Sequence, residues 1–115
     1  MPHLVIEYSK GIEGKVSMES LMERTYQAAV AAQVMNPDDI KVRALPYSHY
    51  RLARQDGDFV HVTCRLLEGR TSEEKVRLST EIRGYLSELL PDVYSLSVDI
   101  VDMNPDAYKK RLLDH

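Results

Sequence analysis

The chain has 115 residues, of which 43% are hydrophobic and 29% charged, with a formal net charge of −3. This length suits one domain, residues 1–115, or two very small halves sharing a core. The acidic balance argues against a nucleic-acid partner, because phosphate binding leaves a basic footprint, and the lone Cys64 excludes an internal disulfide or a multi-cysteine metal site.

Leu4-Val5-Ile6-Glu7-Tyr8 is a short apolar run rich in β-branched residues and reads as a buried strand. After the break at Gly11 to Gly14, Ser17 is an N-cap candidate for a helix running to about Met35. Met18, Leu21, Met22, Ala28, Ala29 and Ala32 fall near one stripe of that helix, and Asn36-Pro37 is expected to end it. Ile40-Lys41-Val42-Arg43-Ala44-Leu45 then alternates with period two, so that Lys41 and Arg43 share a face opposite Ile40, Val42 and Ala44.

Residues 46–58 form a polar connector. Its stretch 49–53 is a candidate extra strand, and Asp56-Gly57 is a turn signal. Residues 59–67 alternate cleanly, with Val60, Val62, Cys64 and Leu66 on one face. Thr71-Ser72-Glu73-Glu74 is a capping box, and Leu78, Ile82, Tyr85, Leu86 and Leu89 form the stripe of the helix it opens, which Pro91 closes. Leu96, Val98 and Ile100 alternate with Ser97 and Asp99 in a last strand. The polar tail, 104–115, reads as a short helix or an arm. No apolar run approaches the ~20 residues of a membrane span. Met1-Pro2-His3-Leu4 lacks the basic-then-apolar layout of a signal peptide, so a cytoplasmic location is expected by default.

The order strand-helix-strand thus occurs twice, in pseudo-repeats of about 1–57 and 58–115 offset by roughly 57 positions. Right-handed crossovers would put both helices on one face of a four-stranded mixed sheet. The other face needs a cover, and oligomerisation is the expected one.

Four features carry candidate chemistry. Pro2 follows the initiator Met1, whose removal small second residues permit, and that removal would leave a secondary amine. A free α-amino group has a pKa of ~8, and burial with nearby cations lowers it towards that of a general base at neutral pH. If Met1 stays, the Pro2 nitrogen is a tertiary amide with no basic lone pair, and Met-Pro is then an ordinary chain start. Arg70, after Gly69 and before a capped helix, could offer a guanidinium and nearby N–H groups to an anion, or simply be an exposed arginine beyond a turn. Lys41 and Arg43 could together hold a dicarboxylate, or form a solvated strand face. His3, His49, His61 and His115 show no metal-ligand spacing, so no metal is expected. His61 reads as structural and Cys64 as a core thiol.

Pro2-His3-Leu4-Val5-Ile6-Glu7-Tyr8-Ser9 resembles the start of the 5-carboxymethyl-2-hydroxymuconate isomerases of the tautomerase superfamily. The likeness continues through Ile40-Lys41-Val42-Arg43-Ala44, His49-Tyr50-Arg51-Leu52-Ala53, Phe59-Val60-His61-Val62-Thr63 and Leu67-Glu68-Gly69-Arg70. The stretch from Leu67 to Lys75 is also similar to the first helical turn of 4-oxalocrotonate tautomerase, which is built from one βαβ unit.

The resemblance implies an α+β, tautomerase-like homotrimer with no cofactor. It also implies proton transfer within an unsaturated 2-hydroxy diacid or triacid of aromatic catabolism, with Pro2 as base. Arg70 matches a carboxylate-binding arginine of the family. Lys41 stands where relatives often carry Arg, keeping the charge and losing the fork, and Arg43 is the alternative cation. Two other readings compete. One is a binding or signalling member of the same fold, comparable to macrophage migration inhibitory factor. The other is a dimeric ferredoxin-like barrel, which gives Pro2 no reason to sit in a pocket.

Overall fold

The computed structural model of the chain describes residues 1–113. The first strand, β1 (His3–Ser9), buries Leu4, Ile6 and Tyr8 and turns His3, Val5 and Glu7 to the opposite, half-open face. A 3-10 turn over Lys10–Gly14 follows and buries Ile12. Helix α1 (Met18–Ala32) starts where expected, the Ser17 side chain accepting from the Ser20 N–H. It ends earlier than the pattern suggests. Gln33 adopts φ 58°, ψ 40°, and a left-handed residue stops the i→i−4 ladder whatever the helix propensity beyond it. Asn36-Pro37 opens a second 3-10 turn, Pro37–Asp39, rather than closing the helix.

The remaining elements are β2 (Lys41–Tyr47), β3 (Phe59–Leu67), α2 (Ser72–Leu89) and β4 (Ser95–Met103). Both arms of the α2 capping box form: Thr71 Oγ1 accepts from Glu74 N–H at 3.1 Å, and Glu74 Oε1 from Thr71 N–H at 2.9 Å. Gly69, at φ 126°, makes the turn from β3 into α2; a Cβ there would meet nothing within 4 Å, so its backbone angle alone calls for glycine.

The sheet order is β2-β1-β3-β4. β1 runs parallel to β2, β3 parallel to β4, and β1 antiparallel to β3, so two βαβ units join along the centre of one mixed sheet. One core cluster unites Leu4, Ile6, Val60, Val62, Cys64 and Leu66 with the stripes of α1 (Leu21, Ala28, Ala29, Ala32) and α2 (Leu78, Ile82, Leu86). Both helices therefore cover one face, as expected. Each fully buried aliphatic side chain there contributes about 1.5–3 kcal/mol through area removed from water. Thr25 was not foreseen in this stripe. It is fully buried and satisfies its hydroxyl by donating to Leu21 O at 2.8 Å.

Direct pairing of β1 with β2 rejects the ferredoxin-like barrel, because a split βαβ unit would put another strand between them. The extra strand at 49–53 does not form. Residues 48–58 lie outside helix and strand, and Tyr50 instead packs edge-on against Phe59 at 5.4 Å between centroids. The tail makes one turn after Asn104 and no helix among the described residues; its last two positions, including His115, lie outside them.

The second sheet face is uncovered by any helix. It carries Lys41, Arg43 and Leu45 on β2, His3, Val5 and Glu7 on β1, and His61, Thr63 and Arg65 on β3. Leu45 is 52% exposed, which leaves apolar surface in water beside the charges.

Candidate active site at the chain start

The start of β1, the start of β2, the ends of β3 and β4, the end of α1 and the cap of α2 all meet at one end of the sheet. Pro2 sits at that meeting point, less than 2% exposed, and its carbonyl accepts from Lys41 N–H at 3.1 Å. Arg70 arrives from the turn after β3. Its Nε donates to Val34 O and its Nη1 to Leu67 O, both at 3.1 Å, so the guanidinium ties the end of α1 to the end of β3. Those bonds fix the plane of the guanidinium and leave Nη2 without a protein acceptor among the described residues.

The chain-start amine feels this surrounding. Partial burial is the largest influence and holds its pKa below the ordinary 8.0; Lys110, Arg70 and Lys41 push the same way, while Asp39 opposes them. Met1 carries the amine in this chain, and the Pro2 nitrogen, one residue inward, lies deeper in the same surroundings.

Of the candidate residues, the structure gathers Pro2, Arg70 and Lys41 within reach of one another's charge. Arg43 stands one alternation further along β2, opposite Val5, and its Nη1 donates to His3 Nδ1 at 3.2 Å. Among the described residues Lys41 Nζ reaches only the Asp39 carbonyl, at 3.4 Å, a weak bond that an anion could replace. Cys64 lies in the core, where burial pushes its thiol up to about 12, so it supplies no thiolate. His61 pairs with Ser97 on the open face, Nδ1 to Oγ 2.6 Å, remote from Pro2. Among the described residues no group of three or more His, Cys, Asp or Glu could hold a metal ion. No helix there is long and apolar enough to cross a membrane.

A hollow of about 400 Å³ lies at the opposite end of the sheet, between Glu7, Tyr47, Tyr50, Leu52, Phe59 and His61. It is lined largely by aromatic rings together with Arg51 and His49, and the Glu7 carboxylate there accepts from the Tyr47 hydroxyl.

A family model described as 5-carboxymethyl-2-hydroxymuconate isomerase matches residues 2–112, the sheet, both helices and most of the tail. The chain belongs to this isomerase family of the tautomerase superfamily. No curated protein matches it. Among solved structures, a 5-carboxymethyl-2-hydroxymuconate isomerase from Deinococcus radiodurans R1 aligns with TM-score 0.83 and 22% identity over 96% of this chain and 88% of that one. A 5-carboxymethyl-2-hydroxymuconate delta-isomerase aligns with TM-score 0.79 and 24% identity over 97% and 88%. A fused 4-OT, solved as a wild-type symmetric trimer, aligns with TM-score 0.73 and 18% identity over 89% and 85%. These likenesses establish the tautomerase fold for this member of the isomerase family.

Sequence reasoning missed two contributors to the site. Lys110 falls in the stretch read only as a polar tail, and Asp39 falls between the helix stop at Asn36-Pro37 and the strand from Ile40, where no role was assigned. The tail did hold a signal: Tyr108 is its one aromatic residue, and an aromatic in a polar segment commonly marks a docking point.

Proposed function

We propose that this member of the family is a tautomerase acting on an unsaturated 2-hydroxy diacid or triacid of the 5-carboxymethyl-2-hydroxymuconate type, with Pro2 as general base once Met1 is removed. The observation that carries the reading is the chain start itself: a buried proline directly behind a Met1 amine whose basicity burial, Lys110, Arg70 and Lys41 depress.

The chemistry needs one group that both accepts and returns a proton. The Pro2 nitrogen takes the proton from the substrate's 2-hydroxyl as the O–H pair becomes the C=O bond. The electron pair moves along the conjugated system, and the far carbon takes the proton back from the secondary ammonium. Atoms and charge balance with no further reactant. Arg70 holds the carboxylate next to the reacting oxygen and Lys41 a second one, so binding energy fixes the diene against the nitrogen.

The sign of the pH dependence follows. Only the neutral amine is a base, so the rate rises with pH through the amine pKa; the surroundings that depress the Met1 amine are expected to depress the Pro2 amine too, moving that rise to below the usual amine value of about 8. An ultraviolet assay of enol-to-ketone conversion on 2-hydroxymuconate, across pH and on chain freed of Met1, should show that rise. Absence of turnover at any pH would favour a binding or signalling member of the fold.

The open sheet face, with Leu45 exposed, together with the trimeric state of the fused 4-OT relative, supports a homotrimer. Light scattering at micromolar concentration should give three times the chain mass of 13.2 kDa. A stable monomer would contradict this assembly.

A further inference from the structure

The tail is attached at two points. Its root leaves β4 beside the end of β3, where Glu68 N–H donates to Met103 O at 3.3 Å and Met103 is buried. The amides of Ala107 and Tyr108 then donate to Asn104 O, and that of Asp106 to Asn104 Oδ1, closing one turn. Its second attachment is on His3, the residue after Pro2. The Tyr108 and His3 rings meet edge-on at 5.7 Å, and Tyr108 Oη lies 2.8 Å from His3 Nε2.

The tautomer is fixed by the other ring nitrogen. A guanidinium has no acceptor, so Arg43 Nη1 donates to Nδ1, and the proton sits on Nε2, which donates to Tyr108 Oη. Burial, then Arg43, Lys41, the chain-start amine and Arg65, hold the His3 pKa below its ordinary value and so keep the ring neutral. The tail therefore crosses from β4 past β3 to β1 and is held there beside the catalytic candidate. Lys110 follows two residues on, close enough for its charge to reach the amine, and among the described residues it forms no ion pair.

We propose that residues 104–113 are the outer wall of the Pro2 site, with Tyr108 a positioning residue that fixes the arm on His3 and Lys110 the residue that selects a second carboxylate. The proposal rests on the chain start being the substrate site. Lys41 and Arg70 flank the proline from the sheet and the helix cap, and the arm, fixed on His3, brings a further cation to the chain start. A diacid spanning the site would meet Arg70 at one end and Lys110 at the other; a monoacid would meet only the first.

The test is calorimetry on chain freed of Met1 with two probes: cis,cis-muconate, a diacid without the hydroxyl that tautomerisation needs, and sorbate, a diene monoacid. Lys110→Gln should weaken muconate about tenfold and change sorbate by less than about twofold, the loss of one exposed charge-assisted hydrogen bond. Lys110→Arg should restore muconate binding. Tyr108→Phe should weaken muconate selectively and speed deuterium uptake across 104–113; a purely structural tyrosine would not alter the preference between the acids. Equal loss on both probes, no loss on either, or no muconate binding by the unmutated chain would overturn the proposal. Turnover of 2-hydroxymuconate is read separately. If the muconate preference depends on Lys110 and turnover is absent, the arm stands and the isomerase reading fails.

Discussion

Chain that retains Met1 should turn over 2-hydroxymuconate about a hundred- to ten-thousandfold more slowly than chain beginning at Pro2, the range that general-base catalysis supplies. Retention converts the Pro2 nitrogen from a secondary amine into a tertiary amide. The amide lone pair is delocalised into the carbonyl, so the nitrogen neither accepts nor returns a proton. Nearby alternatives do not fill the gap. His3 is held neutral between Arg43 and Tyr108, with its one free lone pair already accepting from Arg43. Glu7 points to the open sheet face and accepts from the Tyr47 hydroxyl. Pro2→Ala keeps an amine, but a primary one without the ring that seats the nitrogen, and should lower the rate and displace the pH profile. Intact mass on each assayed sample reports the Met1-free fraction, and the rate should scale with that fraction. Equal rates with and without Met1 would remove the amine from the mechanism.

Arg70→Ala should reduce kcat/KM on a diacid by about ten- to a hundredfold, the loss of a charge-assisted hydrogen bond worth about 1.5–3 kcal/mol. The sequence alone suggested no cost in stability, since Thr71 and Glu74 still cap α2. The structure adds one. Arg70 also donates to the carbonyls of Val34 and Leu67, and two such bonds at about 0.5–1.5 kcal/mol each place the destabilisation at about 1–3 kcal/mol. Urea unfolding should show it. Loss of the cation also raises the amine pKa, so the rate-pH rise should move to higher pH, a change that mere loosening of the α1 end would not produce. Arg70→Lys should keep most of the pH position while losing the bidentate geometry and one carbonyl bond. Unaltered kinetics in Arg70→Ala would take this residue out of the site.

Alternation and capping made most of the fold legible. β3 could be read almost residue by residue, because one face is fully buried and one is not, and the capping box of α2 is a local arrangement that needs no tertiary partner. The end of α1 was less legible, since a left-handed Gln33 carries no glycine or asparagine signal. The stretch at 49–53 has strand-like residues, but Tyr50 packs on Phe59, a tertiary contact that no local pattern encodes. Ser9 is buried because its hydroxyl donates to Asp58 at 2.7 Å and accepts from Phe59 N–H at 3.0 Å, partners some fifty positions away. For the site, residue type and junction position pointed to Pro2 and Arg70. The sequence left Lys41 and Arg43 open as the second cation; the register sets the Lys41 N–H against Pro2 O and Arg43 Nη1 on His3, which favours Lys41 in the proposed site. The arm showed only as one aromatic residue in a polar tail, because its contact with His3 spans 105 positions.

The central claim is that the Pro2 amine is the base, and its most direct test follows the nitrogen itself. Chain freed of Met1 and labelled with ¹⁵N at proline would be titrated by NMR, and the Pro2 shift overlaid on the rate-pH profile of the same preparation. The account predicts one shared midpoint, below the usual amine value of about 8. A Pro2 nitrogen that titrates at one pH while the rate rises at another would contradict it.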